Sequence, residues 1–336
     1  MSVDWLSDIL AIVAKTIGME TWVLNGLLAV VLVCAMCGML GSMVVGNRMA
    51  FFSDAMAHCA FAGVALGYLS ILLSEGDKAT ATWVVPLVMV AVGIAVGAGM
   101  VYVRDHTGLA HDTVIGVFFA LAIGFGAMLY KVLSDRFNFN PESFFFGNLV
   151  LLPDEELLQL IILAVLVTPL FVWRYNQLVF ASFNPTLART RGLTMTFNNY
   201  LFIIILALVV NLSIKAVGAL LINAMLVVPA ASAANLSRNL RQMFWLTFAF
   251  CLGSGLLGFA IRNSVRLHIS GGEPISFGPS GLIVVVSVFV FFATMVAGAV
   301  WNRFAPVLGF APLPLRGVRH VHDDTCSDDH GSGQCP

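Results

Sequence analysis

Charge is scarce in this chain. Only 10% of its 336 residues are charged, whereas 59% are hydrophobic; soluble domains run at roughly 25% charged and 45–50% apolar. A water-soluble core cannot enclose that much apolar surface, so the chain needs lipid as its solvent. Basic blocks are missing as well, and a net charge of -1 argues against nucleic acid as a partner. The six cysteines build no disulfide framework: Cys34, Cys37, Cys59 and Cys251 stand in apolar stretches, and Cys326 and Cys335 in the C-terminal tail. No Gly-x-x-x-x-Gly-Lys-Ser/Thr phosphate loop occurs, so any ATP hydrolysis that drives this protein falls to another polypeptide. Met1 to Glu20 carry acids in place of a basic n-region and lack a small-residue cleavage site, unlike a removable signal peptide.

What the chain does have is a mean hydropathy of +0.93 and a succession of long apolar runs. A helix needs about 17–25 apolar residues to cross roughly 30 Å of hydrocarbon. Runs of that order are placed near 22–46, 49–73, 83–103, 113–133, 157–173, 198–213, 216–236, 244–262 and 277–300. The expected fold is therefore all-α, a polytopic membrane bundle of about eight or nine spans. The pair 198–213 and 216–236 is expected to part at a short polar hinge around Ser213 and Lys215. The chain divides into an N-terminal segment over 1–21, a transmembrane domain over 22–310 and a disordered tail over 311–336, where Pro312, Pro314 and a polar run replace the apolar pattern.

Orientation follows from the arginines. Arg48, Arg104, Arg174, Arg189, Arg191, Arg238, Arg241, Arg303, Arg316 and Arg319 fall on one side of these spans. Asp135, Glu142, Asp154, Glu155 and Glu156 fall on the other, with Glu75, Asp77 and Glu273. Lys/Arg excess marks the cytoplasmic face, which places the C-terminus inside. Gly93, Gly97 and Gly99, with Ala95, give small faces for close helix contact.

Chemistry concentrates in the second apolar run. Asp54 and His58 are four residues apart, so on a helix they project from one face, a turn apart. A carboxylate at the centre of a membrane helix costs about 2.5–3.5 kcal/mol on insertion scales, so it belongs on a polar path. Carboxylate and imidazole together suit a borderline divalent metal such as zinc or manganese. Ala60, Gly63 and Gly67 leave another face narrow enough for a neighbouring helix. A purely structural reading of the pair also exists, with Asp54 capping near the interface and His58 satisfied in the core.

The surrounding sequence decides between them. Ser53-Asp54-Ala55-Met56-Ala57-His58, followed by Gly63-Val64-Ala65, resembles the hallmark of the ABC-3 family of zinc and manganese ABC permeases, with Ser53 where the family usually has Gly. Further similar stretches follow in order: His111-Asp112-Thr113-Val114-Ile115-Gly116, Phe146-Gly147-Asn148-Leu149, Val217-Gly218-Ala219-Leu220-Leu221 with Pro229-Ala230-Ala231, and Gly278-Pro279-Ser280-Gly281. They span roughly residues 20–300. Ala233-Ala234-Asn235 departs from the pattern by lacking the Arg common there.

The resemblance implies a type II ABC importer-like permease, a homodimer around a central pathway in a bacterial inner membrane. It also implies a separate ABC ATPase and an extracytoplasmic metal-binding protein that docks on the acidic outer loops. No cofactor is bound permanently, and the chain is a transport subunit, not an enzyme. Zinc is the expected cargo, manganese or ferrous iron next, with Asp54 and His58 on the path. A gradient-driven secondary metal transporter or channel is the alternative from another class, with Asp54 as a proton or sodium site.

Asn184-Pro185 starts a short helix and Gly192 stops it; with Ala188 and Arg189 this stretch resembles the family's coupling helix to the ATPase. Its structural alternative is an amphipathic connector with snorkelling arginines. The tail collects His320, His322, Cys326 and His330 among aspartates, donors that could wrap a metal or simply form a solvated acidic tail. Asp112, beside His111, suits the positive end of a helix; Cys34 and Cys37 suit packing; Asn211 and Asn223 either line the cavity or bond neighbouring helices.

Overall fold

The structure, a computed structural model, describes residues 4–73, 78–137, 141–147, 149, 152–183, 195–264 and 278–304. Among these every regular element is a helix: α1 (Asp4–Ile17), α2 (Thr21–Gly46), α3 (Phe52–Leu73), α4 (Lys78–Thr107), α5 (His111–Phe137), α6 (Pro141–Phe146), α7 (Asp154–Phe183), α8 (Met195–Val217), α9 (Ala219–Leu236), α10 (Leu240–Ser264) and α11 (Pro279–Phe304). Nine of them are long and apolar enough to cross a membrane. With no water in the bilayer core, a spanning segment must satisfy its own backbone hydrogen bonds, and only the helix does so within one segment. Pro86, Pro169 and Pro229 sit inside helices, as membrane helices allow.

Burial sorts the spans into a centre and a rim. In α2, 72% of the membrane window is buried, against 22% in α11; α2 is the post around which α7, α9 and α10 pack. On the rim, Val117 and Leu121 of α5, Val165 and Trp173 of α7, and Phe289 and Phe292 of α11 stand exposed. So large an apolar surface suits hydrocarbon. Small residues set the inner contacts. Gly63 and Gly67 of α3 lie against the Met89 and Val85 backbone of α4, where an added Cβ would stand 2.8 and 3.0 Å from their Cα atoms. Gly93 and Gly97 of α4 make room for Asn211 and Ile203 of α8.

Two elements depart from the sequence expectation. The break between the paired spans is not at Ser213 and Lys215; α8 runs through both to Val217, and the chain turns at Gly218. Lys215 owes its polarity to a partner, the Glu156 carboxylate of α7 at 3.5 Å, and Gly218 turns because its φ of +89° lies where side chains other than glycine are disfavoured. The second departure is α6, a six-residue helix too short for any span-length reading. Gly147 (φ +72°) follows it and packs directly on the Val217–Gly218 peptide, with no room for a Cβ. Ser280 Oγ of α11 donates to the Phe146 carbonyl at 2.6 Å, fixing α6 to the start of the last span. The N-terminal segment also holds a helix: α1 buries Leu10 and Ala14 and leaves Ile9 and Ile12 exposed. At 14 residues it is shorter than a span requires.

Candidate metal pathway

Asp54 lies in the first turn of α3, half-buried. The turn before it carries Arg48 at φ 57°, and Ser53 is buried with its hydroxyl donating to the Ala50 carbonyl at 3.3 Å. The hydroxyl that replaces the family's usual glycine is thus accommodated by a local bond. Across from α3 stands Asn223 of α9, whose Nδ2 donates to Asp54 Oδ1 at 2.9 Å. Asn223 Oδ1 is buried and has no hydrogen-bond partner among the described residues. A buried carbonyl oxygen without a donor is unusual in a protein; turning the amide over, which exchanges Nδ2 for Oδ1, would set a second oxygen beside the carboxylate for a cation.

Both side chains line a cleft of about 540 Å³, with Ala219, Leu220 and Ala224 of α9 and Phe145 and Phe146 of α6. His58 lies one turn further along α3, half-buried, its ring edge-on to Phe119 of α5 at 4.8 Å and tilted against Phe145 at 5.7 Å. Phe145 therefore belongs both to the cleft wall and to the imidazole's surroundings. Phe61 and Phe144 extend this aromatic cover, with centroids 5.7 Å apart.

The donor set is small. Among the described residues no three His, Cys, Asp or Glu side chains converge. A set of one carboxylate, one imidazole and one amide oxygen would hold an ion weakly enough for release, as conduction requires. Cys34, Cys37, Cys59 and Cys251 are buried outside the cleft lining. Asn211, fully buried against Gly93, neither lines the cleft nor finds a partner for its amide among the described residues. Asp112 is exposed in the first turn of α5. Asn184, Pro185, Ala188, Arg189 and Gly192, like His320, His322, Cys326 and His330 of the tail, lie outside the described residues.

Asn223 and the α6 phenylalanines enlarge the expected site. Asn223 both lines the cleft and bonds a neighbouring helix. Asn140-Pro141 ahead of the phenylalanines carries a helix-start signal for α6, but nothing in a run of phenylalanines specifies what it covers.

The sequence pattern of the ABC 3 transport family matches residues 19–298. The manganese import system permease protein ScaB of Streptococcus gordonii is 28% identical over 79% of this chain and 90% of its own length. A Haemophilus influenzae membrane protein whose name assigns it to iron transport is 26% identical over 70% of this chain and 82% of its own. The structure of PsaBC from Streptococcus pneumoniae in complex with Fab superposes with a TM-score of 0.66 at 22% identity, covering 84% of this chain and 94% of that one. The chain belongs to the ABC 3 transport family, and it is the multi-pass permease subunit of a metal importer.

Proposed function

We propose that the permease passes a bare divalent first-row metal ion between Asp54 and Asn223, with His58 as the next donor along α3. The observation that carries this reading is the buried, unpartnered Asn223 carbonyl oxygen beside the Asp54 carboxylate. Zinc stood first in the sequence reading. Oxygen donors with one imidazole suit manganese or ferrous iron at least as well, since zinc gains most from thiolates. The relatives named for their cargo carry manganese or iron, which favours manganese for this chain.

In the working importer two permeases would face each other across the pathway, each contacting an ATPase subunit through 184–192. Closure of the ATPases would shift α3 against α9, altering the spacing of donors held on different helices and switching access from one side to the other. An extracytoplasmic binding protein would deliver the ion at the acidic end of the bundle. There Asp154 accepts from Asn25 at 3.0 Å and Glu156 pairs with Lys215, while Glu155 is exposed and available for contact. The ends of α4, α7, α10 and α11 that carry Arg104, Arg174, Arg241 and Arg303 would face the cytoplasm, in a bacterial inner membrane, with Arg262 at the far end of α10 lying over the Trp22 ring.

Uptake of labelled manganese and zinc by cells carrying Asp54→Asn or His58→Ala tests the pathway. Both variants should reach the membrane and lose most uptake; undiminished uptake in both overturns the proposed contacts. Proteoliposomes holding the permease alone should not accumulate metal. Accumulation without ATP or a partner would assign the gradient-driven alternative instead.

A further inference from the structure

A second recess, separate from the Asp54 cleft, lies between α7 and α10 with α2 at its floor. Its volume is about 690 Å³, within the roughly 300–1,000 Å³ of ligand sites. Polarity changes along its length. Arg241 lies one residue into α10, and Phe248 on the same helix is seven residues deeper. On α7, Tyr175 and Asn176 sit one turn closer to the arginine-bearing end than Phe171 and Val172. Tyr175 and Phe244 bridge the two helices with ring centroids 4.7 Å apart. The recess thus has a cationic, hydrogen-bonding end and an apolar, aromatic body.

Its mouth lies on an exposed apolar surface. Val172, Trp173 and Trp245 around it are 63%, 76% and 59% exposed on spanning helices, a surface that hydrocarbon covers, and tryptophans of this kind gather at the membrane interface. Arg241 is exposed, and the ion pairs Arg104–Asp105 and Lys215–Glu156 lie elsewhere. An uncompensated guanidinium at the head of an apolar groove has the charge and shape to meet a phosphate.

We infer that this recess holds one anionic phospholipid, its phosphate on Arg241 with the Tyr175 hydroxyl and Asn176 amide in reach, and an acyl chain along Phe171, Val172 and Phe248. The inference does not depend on the orientation proposed above. Its test reads the groove and not metal, so the two can fail separately.

The full-length permease, stripped of lipid in mild detergent, is titrated with phosphatidylglycerol and phosphatidylethanolamine of identical acyl chains, and bound lipid is counted by native mass spectrometry. Wild type should bind phosphatidylglycerol about fivefold more tightly, the preference that one arginine near an anionic surface confers. Arg241→Gln should abolish that preference, weakening phosphatidylglycerol more than phosphatidylethanolamine. Val172→Trp, which fills the groove from its exposed side, should weaken both lipids. Equal affinities in wild type, a preference that survives Arg241→Gln, or undisturbed binding in Val172→Trp would each overturn the inference. If Arg241→Gln instead releases the co-purifying ATPase while lipid binding shows no preference, the recess is a protein contact and the lipid reading is wrong.

Discussion

At the scale of single residues, the proposed pathway rests on polar groups set inside apolar spans. Asp54 and His58 stand out in the sequence because an ionisable side chain in an apolar run is costly without a partner or a polar path. Asn223 was only half legible, since its meaning depends on a hydrogen bond to a residue 169 positions away. Removing it should show what that bond contributes. Groups that orient or complete a metal's donors typically matter by about 10–100-fold in affinity or activity. Asn223→Ala should therefore lower uptake by about that range while leaving the amount of protein in the membrane unchanged, whereas Asn211→Ala, away from the cleft, should retain most transport. Measuring both in the same cells against immunoblotted permease checks the contrast; equal losses would deny Asn223 a place on the path.

At the scale of elements, the spans were legible because their length and apolarity follow from the thickness of hydrocarbon. What escaped was everything shorter or tertiary in origin. Six residues of α6 carry no span-length signal. The polar hinge expected at Ser213 and Lys215 arose from reading polarity as a break, when Lys215 is polar to reach Glu156 on another helix. The true corner, Gly218, is set by backbone conformation and by the approach of Gly147. Gly218→Ala should destabilise the permease by about 1–2 kcal/mol from the left-handed φ alone, and by more once the Gly147 contact is counted. Gly253→Ala, in α10 with open space around its Cβ position, should be neutral or slightly stabilising. Thermal unfolding followed in detergent separates the two; matching melting curves would remove the strain argument.

At the scale of the whole molecule, the alternation of nine spans puts Glu155 and Asn239 at opposite ends of the bundle. In a Cys326→Ser/Cys335→Ser background the remaining thiols, Cys34, Cys37, Cys59 and Cys251, are all buried. Glu155→Cys should then react with a membrane-impermeant maleimide on intact spheroplasts, and Asn239→Cys only after permeabilisation. The reverse pattern would invert the topology and exchange the roles of the acidic and arginine-bearing ends. One junction carries a consequence for the transport cycle. The Gly147–Gly218 interlock, braced by Ser280 on Phe146, ties the short helix bearing Phe145 and Phe146 to the helix bearing Asn223. If the ion passes Asp54 as proposed, a tilt of that helix would carry Phe145 and Phe146 with it, so that uncovering the cleft and loosening the hold on the cargo would become one movement.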